Sequence, residues 1–151
     1  MAALTQKEVE RIIKMARDRG ETPNLRGLDL SSIGLFGDDL HEVDLSEANL
    51  RQANLIKANL AKANLNKAVL NEANLNGADL SEANLSRSVL FQARLGEANL
   101  NGADLSEASL NGANLENADL TGANLSRATY TRYTRWPLGF DPVQAGAKKV
   151  I

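Results

Sequence analysis

The chain has one histidine and no cysteine among its 151 residues, which narrows the chemistry open to it. Without cysteine there is no disulfide, no thiolate nucleophile and no zinc–sulfur site. His41 stands by itself, so no Ser/His/Asp set can be built around it. Carboxylates are plentiful, and Asp79, Asn99 and Asp119 recur at a spacing of 20 that could align oxygen ligands for a cation. Asparagines in such a column more commonly hydrogen-bond along the stack than hold a metal. No P-loop or dinucleotide fingerprint is present. These residues predict no catalytic group, no cofactor and no metal, and the chain is not expected to be an enzyme.

What must position these side chains is a repeat. Leucine occupies every fifth position from Leu25 to Leu125, 21 times without a miss. Alanine stands two residues before each leucine from Ala48 to Ala123, with Ser88 the one exception, and Asn or Asp lies between them in most units. The consensus is A-N/D-L-x-x. On an α-helix these leucines would scatter around the rod, and on a straight strand successive leucines would face opposite sides. A short strand followed by a corner resolves the conflict: every Ala and Leu faces inward, while Asn/Asp and both x positions face out. Glycine in the second x position, as at Gly27, Gly37, Gly77, Gly102, Gly112 and Gly122, suits the positive φ of a type II turn. The chain therefore coils into stacked parallel strands, with the right hand of other parallel crossovers.

Period alone leaves the number of sides per coil open. The stretch EANLNGADLSEA occurs at residues 72–83 and 97–108, an offset of 25. On a 20-residue coil those copies begin one face apart, so the duplication serves coiling rather than one binding face. Residues 20 apart make physical sense as neighbours: Val69 with Val89, Phe36 with Ile56, and a charge ladder of Glu47, Lys67, Arg87, Glu107 and Arg127. The A-N/D-L-x-x pattern over residues 24–130 resembles the pentapeptide repeat family. That resemblance implies an all-β solenoid, a right-handed quadrilateral parallel β-helix, here of about five coils and roughly 25 Å tall. Leu45, Leu65, Leu75, Leu85 and Leu105 would lie in its core.

Both ends of such a rod need closing. Residues 1–23 are expected to form an N-terminal helical cap, with Thr5 and Glu8 as a capping box. Val9, Ile12, Ile13 and Ala16 supply its apolar stripe, and Gly20 its C-cap. Asp38 departs from the pattern by holding an inward alanine slot, where a hydrogen bond into the lid or a solvated edge would accommodate it. Residues 131–151 are expected to form an irregular C-terminal cap, with Tyr130, Tyr133, Trp136 and Phe140 folded over the last coil. The segment W-P-L-G-F-D-P also resembles tails of cyanobacterial members of the family.

The outward faces carry the functional expectation. Val69, Val89 and Phe91 make an exposed apolar patch, the candidate surface for a protein partner. Some members of the resembled family mimic DNA and bind type II topoisomerases. A DNA-like rod of that height should show roughly 15 negative charges, whereas residues 24–126 hold 14 acids and 7 bases. The relatives that mimic DNA also tend to carry phenylalanine in the central slot, where this chain has leucine. The expectation is therefore a monomeric, non-enzymatic scaffold that binds an unidentified protein. With a net charge of −2, no nucleic-acid partner is expected. MAALTQKEVER lacks the apolar run of a secretory signal, and no stretch nears about 18 apolar residues, so a cytoplasmic protein without membrane contact is expected.

Overall fold

The computed structural model describes residues 3–151. One helix, α1 (Gln6–Asp18), precedes the repeats. The Thr5 hydroxyl accepts from Glu8 N at 3.3 Å, and Thr5 N donates to Glu8 Oε2 at 2.7 Å. These two bonds satisfy donors the first turn leaves open. Arg19, rather than the expected Gly20, is the C-cap residue. Gly20 lies one position beyond, where its φ of 69° lets Glu21 N reach Ala16 O and its own N–H reach Arg17 O, a Schellman closure. Val9 and Ile13 are buried and join the cluster of repeat leucines, with Leu4 and Ile12 partly buried against it.

From Asn24 onward each unit pairs in parallel with the unit 20 residues later, in an unbroken series from Asn24↔Asp44 to Ser109↔Thr129. Four units of five residues thus carry the chain once around. The unit Ala63–Lys67 shows how all five of its N–H groups are satisfied. Leu65 N donates to Asn84 O (2.7 Å), Lys67 N to Ser86 O (3.0 Å) and Asn64 N to Val43 O (3.0 Å), joining it to the coils on either side. Ala63 N closes the preceding corner on Leu60 O at 3.0 Å. The fifth N–H, of Asn66, donates to the Asn64 side chain at 3.1 Å. The strand portion is so short that only single bridges form in the repeats, and longer pairing appears only at the C-terminal end.

The inward residues are small and large in alternation, and they fill the rod. Leu45, Leu65, Leu75, Leu85 and Leu105 have no exposed surface, and nearly every alanine beside them is equally buried. Each buried leucine contributes about 1.5–3 kcal/mol. Ser88 fits the alanine slot by donating its hydroxyl to Leu85 O at 2.6 Å. The corners require a left-handed residue at the second x position, and every unit has one whether or not it is glycine. Lys67 and Glu72 hold φ near 60°, beside 69° for Gly77. Position in the turn, rather than glycine, sets the geometry.

Where the sequence pattern ends, the ladder continues, so the tail is not wholly irregular. β1 (Thr129–Tyr130) pairs in parallel with β2 (Lys148–Lys149). Arg135 bridges Asn114, a spacing of 21 that absorbs one extra residue. Thr134 is buried and donates its hydroxyl to Leu110 O at 2.8 Å while accepting from Gly112 N at 3.2 Å. Trp136 packs edge-on against Tyr130 and stacks with Phe140, at ring distances of 5.4 and 5.2 Å. Tyr133 does not join these rings as expected. It is exposed, with the Arg132 guanidinium lying over it.

Candidate interaction surface

The titratable groups facing α1 are bonded to one another. His41 is engaged rather than free: its Nδ1 lies 2.6 Å from Asp39 Oδ1. Arg17 of α1 donates to Asp39 Oδ2 (3.2 Å) and to the His41 carbonyl oxygen (3.0 Å). With Nδ1–H given to Asp39, the approach of Arg17 to that nitrogen is a contact between two donors. Partial burial opposes ionisation of Asp39. Hydrogen bonds from the His41 ring and backbone, with the Arg17 charge, outweigh it and hold the carboxyl below its ordinary value. The cluster ties α1 to the Leu40 unit of the first coil. Asp38 is tied in the same way, through Gln6 Nε2 at 3.1 and 3.2 Å from its two oxygens.

The Asp/Asn columns are occupied by their own hydrogen bonds. Asn99 Nδ2 donates to Asp79 Oδ1 at 3.3 Å, and Asn59 to Asp39 at 3.2 Å. Among the described residues no group of three potential metal ligands converges. Sequence reasoning missed the second duty of this slot. Every Asn or Asp in it accepts the backbone N–H two residues on, as Asp79 does from Ser81 at 3.0 Å and Asn84 from Ser86 at 3.0 Å. The signal was present as an Asn or Asp at a constant distance from the corner. The expected charge ladder is mostly absent: Arg87 and Glu107 pair at 3.6 Å, but Glu47 turns to Arg26 instead, at 2.7 Å. Exposed side chains on a corner gain too little from pairing to be held in register.

Against that regular background one face stands out. Val69 and Val89 occupy the Asn/Asp slot in consecutive coils and bridge each other directly. Neither can accept the N–H of the corner that follows, so Asn71 N and Phe91 N have no protein acceptor among the described residues. Phe91 sits beside them and is 44% exposed. The Oδ1 atoms of Asn71 and Asn111, on either side of Phe91 in the same column, are buried without a hydrogen-bond partner. Phe36, itself 57% exposed, with Ile56 next to it in the ladder, makes a second apolar exposure on another face.

Comparison with known proteins places this architecture. The family model described as pentapeptide repeats (8 copies) matches residues 39–71, 48–87, 68–106 and 88–127. The crystal structure of HetL, a pentapeptide repeat protein involved in heterocyst differentiation regulation in the cyanobacterium Nostoc sp. strain PCC 7120, is similar at 35% identity and a TM-score of 0.78. The match covers 89% of this chain and 57% of HetL, so the chain spans little more than half of HetL's length. Rfr23 from the cyanobacterium Cyanothece 51142 is 28% identical with a TM-score of 0.78, over 87% of this chain and 99% of that one. Trypsin-treated QnrB1, a plasmid-mediated fluoroquinolone resistance protein, matches over 84% of this chain and 85% of its own at 15% identity and a TM-score of 0.55, a likeness of fold alone. No curated protein gives a significant sequence match. The repeat, its 20-residue ladder and the family match together make this chain a member of the pentapeptide repeat family.

Proposed function

We propose that the chain is a non-enzymatic scaffold that binds another protein through the face carrying Val69, Val89 and Phe91. The observation that carries this reading is that valine, in two successive coils, removes the side-chain hydrogen bond that Asn or Asp supplies in most other units, and puts apolar surface in its place beside Phe91. Valine in that slot gives up a local backbone acceptor and leaves apolar surface outside the core. The scaffold alone gains nothing from the exchange, whereas a partner covering the face would gain buried apolar area. In this reading the rod is a right-handed β-helix of about five coils, closed at its start by α1 and at its end by the tail, and it works as a monomer in the cytoplasm. The rigid ladder holds the patch in one shape, so little ordering would be needed on binding.

A DNA mimic directed at a type II topoisomerase is the other reading, and the charge distribution weighs against it. The face centred on Leu40, Leu60, Leu80, Leu100 and Leu120 is the most acidic, yet it carries Lys62 near its middle. Seven bases lie among the 14 acids of residues 24–126. Absence of gyrase inhibition at micromolar protein supports the scaffold reading, and potent inhibition would replace it.

The test of the scaffold reading replaces Val69→Asn, Val89→Asn and Phe91→Ser together. The two asparagines restore the acceptors used in other units, so the variant keeps the fold while losing the apolar patch. Partner capture by the native chain and its loss in this variant are the expected result.

A further inference from the structure

A second surface, apart from the face above, lies at the C-terminal end of the rod. Three ladder bonds that every interior coil makes are unmade at Ala118–Gly122: Leu120 N, Gly122 N and Ala118 O have no protein partner among the described residues. Two complete turns of chain nearer the N-terminus, the equivalent groups are all paired. Leu80 N donates to Asn99 O (2.7 Å), Glu82 N to Asn101 O (2.9 Å), and Ala78 O accepts from Asn99 N (2.9 Å). The tail passes beside the Ala118 edge without pairing to it, and Phe140 N closes its own turn on Pro137 O instead. A cavity of about 410 Å³ separates Ala118–Thr121 from Pro137–Phe140. Leu120 is 8% exposed where Leu80 and Leu100 are 0%, and Leu138 on the opposite wall is fully exposed.

The ladder itself states what fits this edge. Each other aspartate in the outward slot of the repeats, at Asp29, Asp39, Asp44, Asp79 and Asp104, has an asparagine 20 residues later. The amide donates to that carboxylate, as Asn124 does to Asp104 at 3.4 Å and Asn99 to Asp79 at 3.3 Å. Asp119 is the one without its amide. Its carboxylate, which accepts Thr121 N at 2.9 Å, is exposed beside the three unpaired backbone groups. Backbone donors and acceptors in strand register, together with an unanswered carboxylate, specify an extended chain bearing a side-chain donor.

We propose that the Ala118–Gly122 edge is a docking site for an extended peptide segment of a partner protein. The segment adds as one more parallel rung, with an amide-bearing residue over Asp119 and an apolar residue between Leu120 and Leu138. Main-chain hydrogen bonds would supply the affinity, and the Asp119 slot would select the residue above it.

The chain's own sequence provides the probe. A synthetic peptide of residues 97–103, Glu-Ala-Asn-Leu-Asn-Gly-Ala, is the strand that covers Asp79 inside the rod. It is titrated into the full-length, isotope-labelled protein to about 1 mM, with amide shifts and hydrogen exchange followed by NMR. The expected result is saturable shifts at Ala118–Gly122 and Leu138–Phe140, and exchange at Leu120 and Gly122 slowed by about tenfold or more. A control peptide with proline in place of its first asparagine, the counterpart of Asn99, cannot donate to Ala118 O and is expected to leave these signals unmoved. No response to the first peptide, or an equal response to both, overturns the proposal. So does protection of Leu120 and Gly122 that grows with protein concentration alone, because a second copy would then occupy the edge.

Discussion

Val69 bridges Val89 across one coil, and both stand where most other units place an asparagine or aspartate that accepts a backbone N–H. The pair therefore separates what the scaffold needs from what its surface offers. Replacing both by asparagine should return two local hydrogen bonds worth about 0.5–1.5 kcal/mol each, against the loss of half-exposed apolar packing. The double variant is expected to melt no lower than the native chain. A drop of many degrees would mean that the valines are needed for folding and that their exposure has no bearing on binding.

Leu75 tests the inward column. It has no exposed surface and lies among leucines from the coils on both sides. Leu75→Lys places an ammonium where no partner is within reach, a change that costs several kcal/mol. The variant should be unfolded, or nearly so, by circular dichroism at room temperature. A cooperative melt within a few degrees of the native chain would contradict the core assignment.

The tail carries pairing that its sequence does not advertise. Truncation after Thr131 removes Thr134 from Leu110 O and Gly112 N, Arg135 from Asn114, and β2 from β1. These losses open further strand edge beside Leu115 and Tyr130. The truncated chain should melt lower and self-associate in light scattering. A stable monomer would show that the tail contributes nothing to closing the rod.

Acid should loosen the attachment of α1. The Asp39 carboxyl lies below its ordinary value of 3.8 because His41 and Arg17 favour its charged form against the effect of burial. A depressed carboxyl contributes stability above its unfolded value, and the contribution is lost as pH falls through the lower folded value. Melts from neutral pH down to about pH 2 should show a shallower acid decline for Asp39→Asn than for the native chain. Identical acid limbs would remove the ionised Asp39 from the account.

The solenoid was legible because one rule repeats: leucine and alanine two apart, then a corner. Even the exceptions explained themselves, with Ser88 bonded to Leu85 O and Asp38 bonded to Gln6. The second duty of the Asn/Asp slot was harder to see, since an outward polar residue reads as surface until the backbone N–H groups are accounted for. The ladder in the tail was hidden by the extra residue before Arg135 and by Thr134 in a slot that elsewhere holds alanine. Arg17, Asp39 and His41 meet across more than 20 residues of chain, which no local pattern records. The apolar patch was visible as composition, while its cost to local hydrogen bonding appeared only in three dimensions.

The central claim is that the Val69, Val89 and Phe91 face exists for a partner and not for the rod. Its most direct measurement is quantitative affinity capture from native lysate, run side by side with the native chain and the Val69→Asn, Val89→Asn, Phe91→Ser variant. Melting curves recorded on both proteins establish that each is folded. The account predicts a protein retained by the native chain and lost from a variant whose melting temperature is unchanged or higher. The same proteins retained in equal amount by both would contradict it.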